Sequence, residues 1–322
     1  MRRRRFLAGL LTAAVARAAA AEDRAKPIVG FLDIEVQGAS PGFDAFMDGM
    51  RELGHVDGGD VLIDARFVGY RMGELKATAA ALAAKKPAVI VAYQPVLDAA
   101  RATAGDTPIV TRMTLDPVAS EVVGSLARPG GNVTGVSSYS SSLYSKRIEI
   151  AKELAPGMER VGVLHVGSSQ STLTEVARAE EAARALGLAA VRLTVNGAGG
   201  LAAAFDAADK AGIAAVIPIR SIAIVSSRAE VARLAAAHRL PAVYDDRQFC
   251  EAGGLVSYGA NLTVLHKRTA YYVDRILKGA KPADLPIEEP TVFELVVNAG
   301  AAKALGLDMP PTLLVRADQI ID

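Results

Sequence analysis

The chain has 322 residues, 51% of them hydrophobic, with 29 glycines, no tryptophan and a formal net charge of +1. That length suits two ordinary domains, and the balanced charge removes the electrostatic case for a nucleic-acid partner. The lone Cys250 excludes an internal disulfide, and within DDRQFCEAGG it reads as a small core residue rather than a nucleophile.

The first segment, MRRRRFLAGLLTAAVARAAAAEDR, starts with Arg2 to Arg5. It continues through an apolar stretch from Phe6 to Ala16 and offers small residues for cleavage near Ala21. Residues 1–21 therefore read as a secretory signal peptide, and RRRFL suits a twin-arginine signal as well as a plain Sec signal. An amphipathic N-terminal helix of the folded domain is the alternative. The apolar run is short for a membrane span, and no cysteine follows it to carry a lipid. A periplasmic protein that is not lipid-anchored is expected.

From residue 27 the chain alternates. The short β-branched runs PIVGFL (27–32), VLIDARF (61–67), AVIVAY (88–93) and PIVTRM (108–113) read as buried parallel strands. Between the first two, Phe43, Phe46, Met47, Met50 and Leu53 recur at helical spacing, and Gly54 closes that helix. A helix is expected over 117–127, stopped by Pro129 and turned by Gly130 and Gly131. NVTGVS then makes the strand that leaves this unit. A second set follows: RVGVLHV (160–166), AAVRLTV (189–195), AAVIPI (214–219) and PAVYD (241–245). Alternation of this kind implies right-handed crossovers and parallel sheets, so the expected class is α/β, with two doubly wound lobes of similar construction.

A second crossing between lobes is expected near GGLVSYG (253–259). NLTVLHKRTAYYVDRILKG then reads as a helix with Leu262, Leu265, Tyr272 and Ile276 on one face, and PADLPIEEPTVFELVVN as an extended return. The expected division is 27–137 plus about 256–285 for lobe one, and 138–255 plus about 286–322 for lobe two.

RPGGNVTGVS, FMDGMRELGHVDG, RLPAVYDDRQFCEAGGLVSYG and the long block from YYVDRILKG to the final VRADQIID carry a resemblance. Together they resemble the ABC-transporter substrate-binding protein family often labelled tryptophan/tyrosine type, over essentially all of residues 27–322. The resemblance implies a type I periplasmic-binding fold with a small-molecule ligand in the cleft between the lobes. It also implies delivery of that ligand to an ABC permease in the membrane. The aromatic ligand in the label transfers weakly.

In open α/β sheets the ligand crevice lies beyond the carboxyl ends of the strands, at helix N-termini. Those ends supply the candidate wall: Asp33, Tyr93, Gln94, Pro95, Asp116, Ser137, Ser138, Tyr139, Ser168, Ser169, Arg220, Ser221, Asp246 and Tyr258. Asp116 before Pro117 reads as an N-cap whose helix could hold a carboxylate, although capping alone accounts for it. The serines and tyrosines of SSYSSSLYS offer donors and acceptors to a polar ligand, as a hydrophilic linker also would. Of Ser168 and Ser169, one reads as an N-cap. Tyr93 could stack on an apolar ligand or belong to the core. Arg220 stands where the resembling family commonly has an acidic Asp-Pro turn, and Asp245 and Asp246 where small or neutral residues are usual. These departures read either as specificity residues gripping a carboxylate and an ammonium, or as an Arg220–Asp246 pair.

Enzymatic readings fail on the residues. GASPG (38–42) has the G-x-S-x-G spacing, but Pro41 has no N–H for an oxyanion hole and Ser40 is set back from the first strand. The dinucleotide fingerprint and the P-loop are missing. His55, His165, His238 and His266 fall in no metal-binding spacing. The expectation is a monomeric, non-catalytic solute receptor without cofactor or metal. A periplasmic sensor presenting its ligand to a membrane kinase or chemoreceptor is the alternative.

Overall fold

The structure is a computed structural model that describes residues 26–118, 120–140, 143–197 and 199–322. The signal peptide expected over residues 1–21 lies outside the described residues.

The first half of the chain folds as β1 (Ile28–Asp33), α1 (Pro41–Glu52), β2 (Leu62–Phe67), α2 (Leu75–Ala83), β3 (Val89–Ala92), α3 (Leu97–Ala104), β4 (Ile109–Met113) and β5 (Val133–Ser137). Its sheet has the order β2-β1-β3-β4-β5, and every pairing is parallel. The central β3 is buried throughout, as a strand covered by helices on both faces must be. Ser40 caps α1 by accepting from the Phe43 amide at 3.0 Å, with Pro41 at the first helical position. Phe46 and Met50 of α1 pack with Phe31 and Val29 of β1 in one core.

The expected helix over 117–127 is not formed: its described residues run as turns. Val118, Val122 and Val123 are poor helix formers, Gly124 interrupts them, and Glu121 sits at φ 56°. Tertiary contacts decide the outcome. The Leu126 carbonyl accepts from the Ile287 amide at 2.8 Å, and Val123 packs with Met113 and Ile287.

The chain then enters the second lobe through α4 (Leu143–Leu154), β6 (Arg160–Val166), α5 (Gln170–Ala185), β7 (Ala189–Val195), α6 (Gly200–Lys210), β8 (Ala215–Pro218), α7 (Ile222–Ser226) and α8 (Arg228–Ala237). It continues through β9 (Val243–Tyr244), α9 (Arg247–Glu251), β10 (Val256–Ala260), α10 (Leu262–Leu277), β11 (Phe293–Asn298), α11 (Ala299–Leu305), α12 (Pro311–Arg316) and β12 (Gln319–Ile321). Strands β7-β6-β8 form one parallel sheet and β12-β11-β10-β9 a second sheet. A bridge from Val216 to Ala242 joins their edges. The second of these is mixed: among the described residues, β10 and β11 are the one antiparallel pair of strands.

Helix α10 returns to the first lobe, where Leu265, Ala270, Tyr272 and Val273 join the core built on β1, β3 and α1. Glu288 bridges to Val136 of β5 before the chain crosses back to β11. Strand β10 pairs with β9 and β11, so residues 256–260, assigned from the sequence to lobe one, are hydrogen-bonded in the second lobe's sheet. We propose that the second crossing falls at Asn261, which caps α10 and donates its amide to Val292 on the third crossing. The architecture is two Rossmann-like lobes with a cleft between them.

Candidate ligand site between the lobes

A cavity of about 310 Å³ lies in that cleft, at the carboxyl ends of the strands of both lobes. The first lobe supplies Asp33 and Glu35 after β1, Tyr93 to Pro95 after β3, Arg112 and Thr114 of the β4 end, and His266 from α10. The second supplies Thr172 and Glu175 of α5, Arg220 and Ser221 after β8, and Asp246 after β9. Of the residues picked out from the sequence, Asp33, Tyr93, Gln94, Pro95, Arg220, Ser221 and Asp246 line this space.

The others lie elsewhere. Ser138 and Tyr139 line a neighbouring pocket of about 50 Å³ that shares Thr114, Glu175 and Arg220 with the main one. Ser137 is buried at the end of β5 and accepts from the Tyr139 amide. Ser169 caps α5, and Ser168 is exposed in the loop before it. Tyr258 stacks on Phe293 at 6.1 Å and lines neither cavity. Among the described residues Asp116 heads no helix, so the helix whose N-terminus could have held a carboxylate is not formed. Its Oδ1 accepts from the Val118 amide, and its Oδ2 meets Arg178 of α5 at 3.2 Å, a contact between the lobes.

Each wall residue is held by a specific partner. Buried Asp33 accepts from the Ile34 amide at 2.7 Å and from the Ser40 hydroxyl. Burial outweighs these bonds and raises its pKa above the usual carboxylate value, and Glu35 is raised for the same reason, with the Asp33 charge adding to it. Gln94 turns its carbonyl onto the amide and hydroxyl of Thr114 at 2.6 and 3.0 Å, which ties the β3 end to the β4 end. The Gln94–Pro95 bond is cis.

Tyr93 stacks on His266 with ring centroids 4.6 Å apart, and its hydroxyl shares a hydrogen bond with Thr269 at 2.8 Å. It is thus both core and wall. Arg112 lies beside this stack and donates from Nε to His266 Nε2 at 2.8 Å and from Nη1 to the Ser138 hydroxyl at 3.2 Å. Burial, with the Arg220 charge across the cleft, pushes the Arg112 guanidinium down to about 10. The same burial and the Arg112 charge hold His266 well below the ordinary histidine value, so the ring is neutral.

Arg220 meets Asp245 at 2.8 Å and Asp246 at 3.2 Å, so the Arg220–Asp246 pair is formed, with Asp245 as a second partner. The Arg220 charge holds Asp245 below its usual value against the effect of burial. Arg112 and His266 escaped the sequence reading because each sits inside an apolar pattern, a strand in one case and a helix face in the other. Cys250 is fully buried with its thiol pushed up to about 12 by burial, the state of a core residue. Among the described residues, no group of three or more His, Cys, Asp or Glu could hold a metal ion.

A family model described as ABC transporter substrate binding protein matches residues 34–321. The chain belongs to this family. Its members are binding proteins rather than enzymes. The tyrosine-binding protein of Clostridioides difficile (strain R20291) is 25% identical over 263 residues, covering 81% of this chain and 75% of that protein. Among solved structures, the ABC domain from Streptococcus pneumonia in complex with L-Trp superposes with a TM-score of 0.83 at 25% identity, covering 92% of this binding protein and all of that chain. The ligand-free, open structure of a substrate binding protein with adhesive properties from Clostridium difficile superposes at 0.72 and 24% identity, covering 92% and 99%. The likeness to these structures, over 92% of the chain, places the binding protein in the type I periplasmic-binding fold.

Proposed function

We propose that this binding protein is the exported receptor of an ABC importer for an amino acid with an aromatic side chain. It captures the ligand in an open cleft, closes both lobes over it and hands it to a membrane permease. The observation that carries the reading is the interlobe cavity of about 310 Å³ with a Tyr93–His266 stack on its wall and charged groups of both signs around it. That size is at the small end of the ~300–1,000 Å³ range of ligand pockets, suited to one amino acid. The relatives named for tyrosine and crystallised with L-Trp support the aromatic ligand.

The contact of Asp116 with Arg178 across the cleft, and the better superposition on the L-Trp complex than on the open structure, support a lobe arrangement close to the closed one. Closure follows ligand only if the ligand binds the closed state more tightly, as it does when residues of both lobes contact it. We place the protein in the periplasm, acting as a monomer, with the sequence-stretch 1–21 as its export signal. A thermal-shift series on protein refolded to strip bound ligand tests the reading. L-tryptophan, L-tyrosine or L-phenylalanine at 100 times its dissociation constant should stabilise by about 2.7 kcal/mol. No shift with any of the three, from folded protein, contradicts it.

A further inference from the structure

We infer that Arg112, and not Arg220, is the residue that binds the ligand's carboxylate, so that this receptor selects anionic or zwitterionic ligands. The inference rests on the interlobe cavity being the ligand site, as proposed above.

The two arginines face the same cavity from opposite lobes with different degrees of neutralisation. Arg220 already holds two carboxylates, Asp245 and Asp246, at 2.8 and 3.2 Å. Arg112 is only 5% exposed, yet its two side-chain hydrogen bonds go to neutral acceptors, the His266 ring and the Ser138 hydroxyl. The Ser138 hydroxyl in turn donates to the Met113 carbonyl, so it brings no charge. Among the described residues no carboxylate lies within ion-pairing distance of Arg112, and its Nη2 donates to none of them. A buried cation without a direct ion pair is costly even with Asp33 and Asp246 acting on it through space, and a fold retains one where something else supplies an anion at contact.

The support behind Arg112 fits this role. His266 accepts from Nε and is itself clamped against Tyr93, which fixes the plane of the guanidinium and leaves the Nη2 hydrogens and the second Nη1 hydrogen for a ligand. A planar guanidinium fork matches a carboxylate in two parallel hydrogen bonds. A doubly charged phosphate fits less well, because Asp33, Glu35, Glu175 and Asp246 share the wall and would repel a second negative charge. Those same acids favour an ammonium elsewhere on the ligand.

The arrangement also links recognition to closure. Arg112 belongs to lobe one and the Arg220–Asp245–Asp246 cluster to lobe two. A ligand whose carboxylate meets Arg112 while its other groups meet the second lobe binds the closed cleft more tightly than the open one.

The test is isothermal titration of the refolded protein with four probes: L-tryptophan, L-tryptophanamide, indole-3-acetate and tryptamine. Wild type is expected to bind L-tryptophan at least about 30-fold more tightly than its amide. In Arg112→Gln that preference should collapse to within about threefold, while Arg112→Lys should keep part of it. Wild type binding amide and acid equally, or neither carboxylate binding, overturns the inference without any variant needing to fold. Binding of indole-3-acetate but of no amino acid sinks the amino-acid reading and leaves Arg112 standing. Binding of L-tryptophan with the acid preference intact in Arg112→Gln does the reverse.

Discussion

The Nε of Arg112 donates to Nε2 of His266 across 2.8 Å, and the two residues are 154 positions apart in the chain. This bond joins the end of β4 to α10, the helix that returns from the second lobe, and it makes a neutral histidine the support of a buried cation. Replacing His266 by Phe keeps an aromatic ring to stack on Tyr93 but deletes the acceptor. Leaving a buried charged donor unpaired costs ~1–3 kcal/mol, so His266→Phe should weaken ligand binding by roughly tenfold or more. Titration of folded variant and wild type with L-tryptophan checks it; equal affinities would show that the bond positions nothing.

The Arg220–Asp245–Asp246 cluster should behave as a structural unit. Exposed pairs contribute ~0–1 kcal/mol and breaking a buried one costs ~3–5 kcal/mol. Arg220 is a quarter exposed and its partners are more buried, so Arg220→Met should destabilise by an intermediate amount, about 2 kcal/mol. Neutralising the stranded acid in Arg220→Met/Asp245→Asn should recover part of the loss. Urea denaturation of both variants measures this, and a double variant no more stable than the single one would refute the coupling.

Strand and helix positions were largely legible, because buried parallel strands write themselves as β-branched runs and α1 and α10 as apolar stripes. The site was legible only in part. Strand ends pointed to Tyr93, Gln94 and Arg220, since a doubly wound sheet puts its crevice there. Asp116 misled because a local capping pattern was outvoted by distant backbone: Leu126 bonds to Ile287 instead of to its own helical turn. Arg112 carries a signal in retrospect, a charged residue near the carboxyl end of the apolar run PIVTRM. Its partner His266 does not, because only the folded chain brings α10 beside β4.

Helix α1 crosses α10 at Gly49, where an added Cβ would sit 2.6 Å from the Lys267 carbonyl oxygen and 2.9 Å from the Ala270 Cβ. Backbone cannot step aside as a side-chain tip can. Gly49→Ala should therefore cost about 1–3 kcal/mol despite the better helix propensity of alanine. Gly73, with nothing within 4 Å of its built Cβ, is the control, and its alanine variant should be near neutral. Thermal denaturation compares the two, and equal midpoints would mean that the helices are not closely packed there.

His55 sits between two carboxylates, with Asp60 at 2.6 Å on Nδ1 and Asp274 of α10 at 3.0 Å on Nε2. Burial opposes its charge, but the two acids outweigh it and raise the pKa above the usual 6.5. A base whose folded pKa is raised stabilises fully below its unfolded value and loses that contribution as pH climbs through the folded one. His55→Asn should accordingly lower the melting temperature more at pH 5.5 than at pH 8.5. A difference independent of pH would remove the charged form from the account.

X-ray scattering during a titration with L-tryptophan tests most directly that the lobes close over an aromatic amino acid. The protein is first unfolded and refolded to strip bound ligand. The radius of gyration should fall saturably as ligand is added, and the fall should disappear in Arg112→Gln. A radius that stays constant while L-tryptophan is shown by calorimetry not to bind would contradict the receptor reading, and with it the cavity between the lobes as its site.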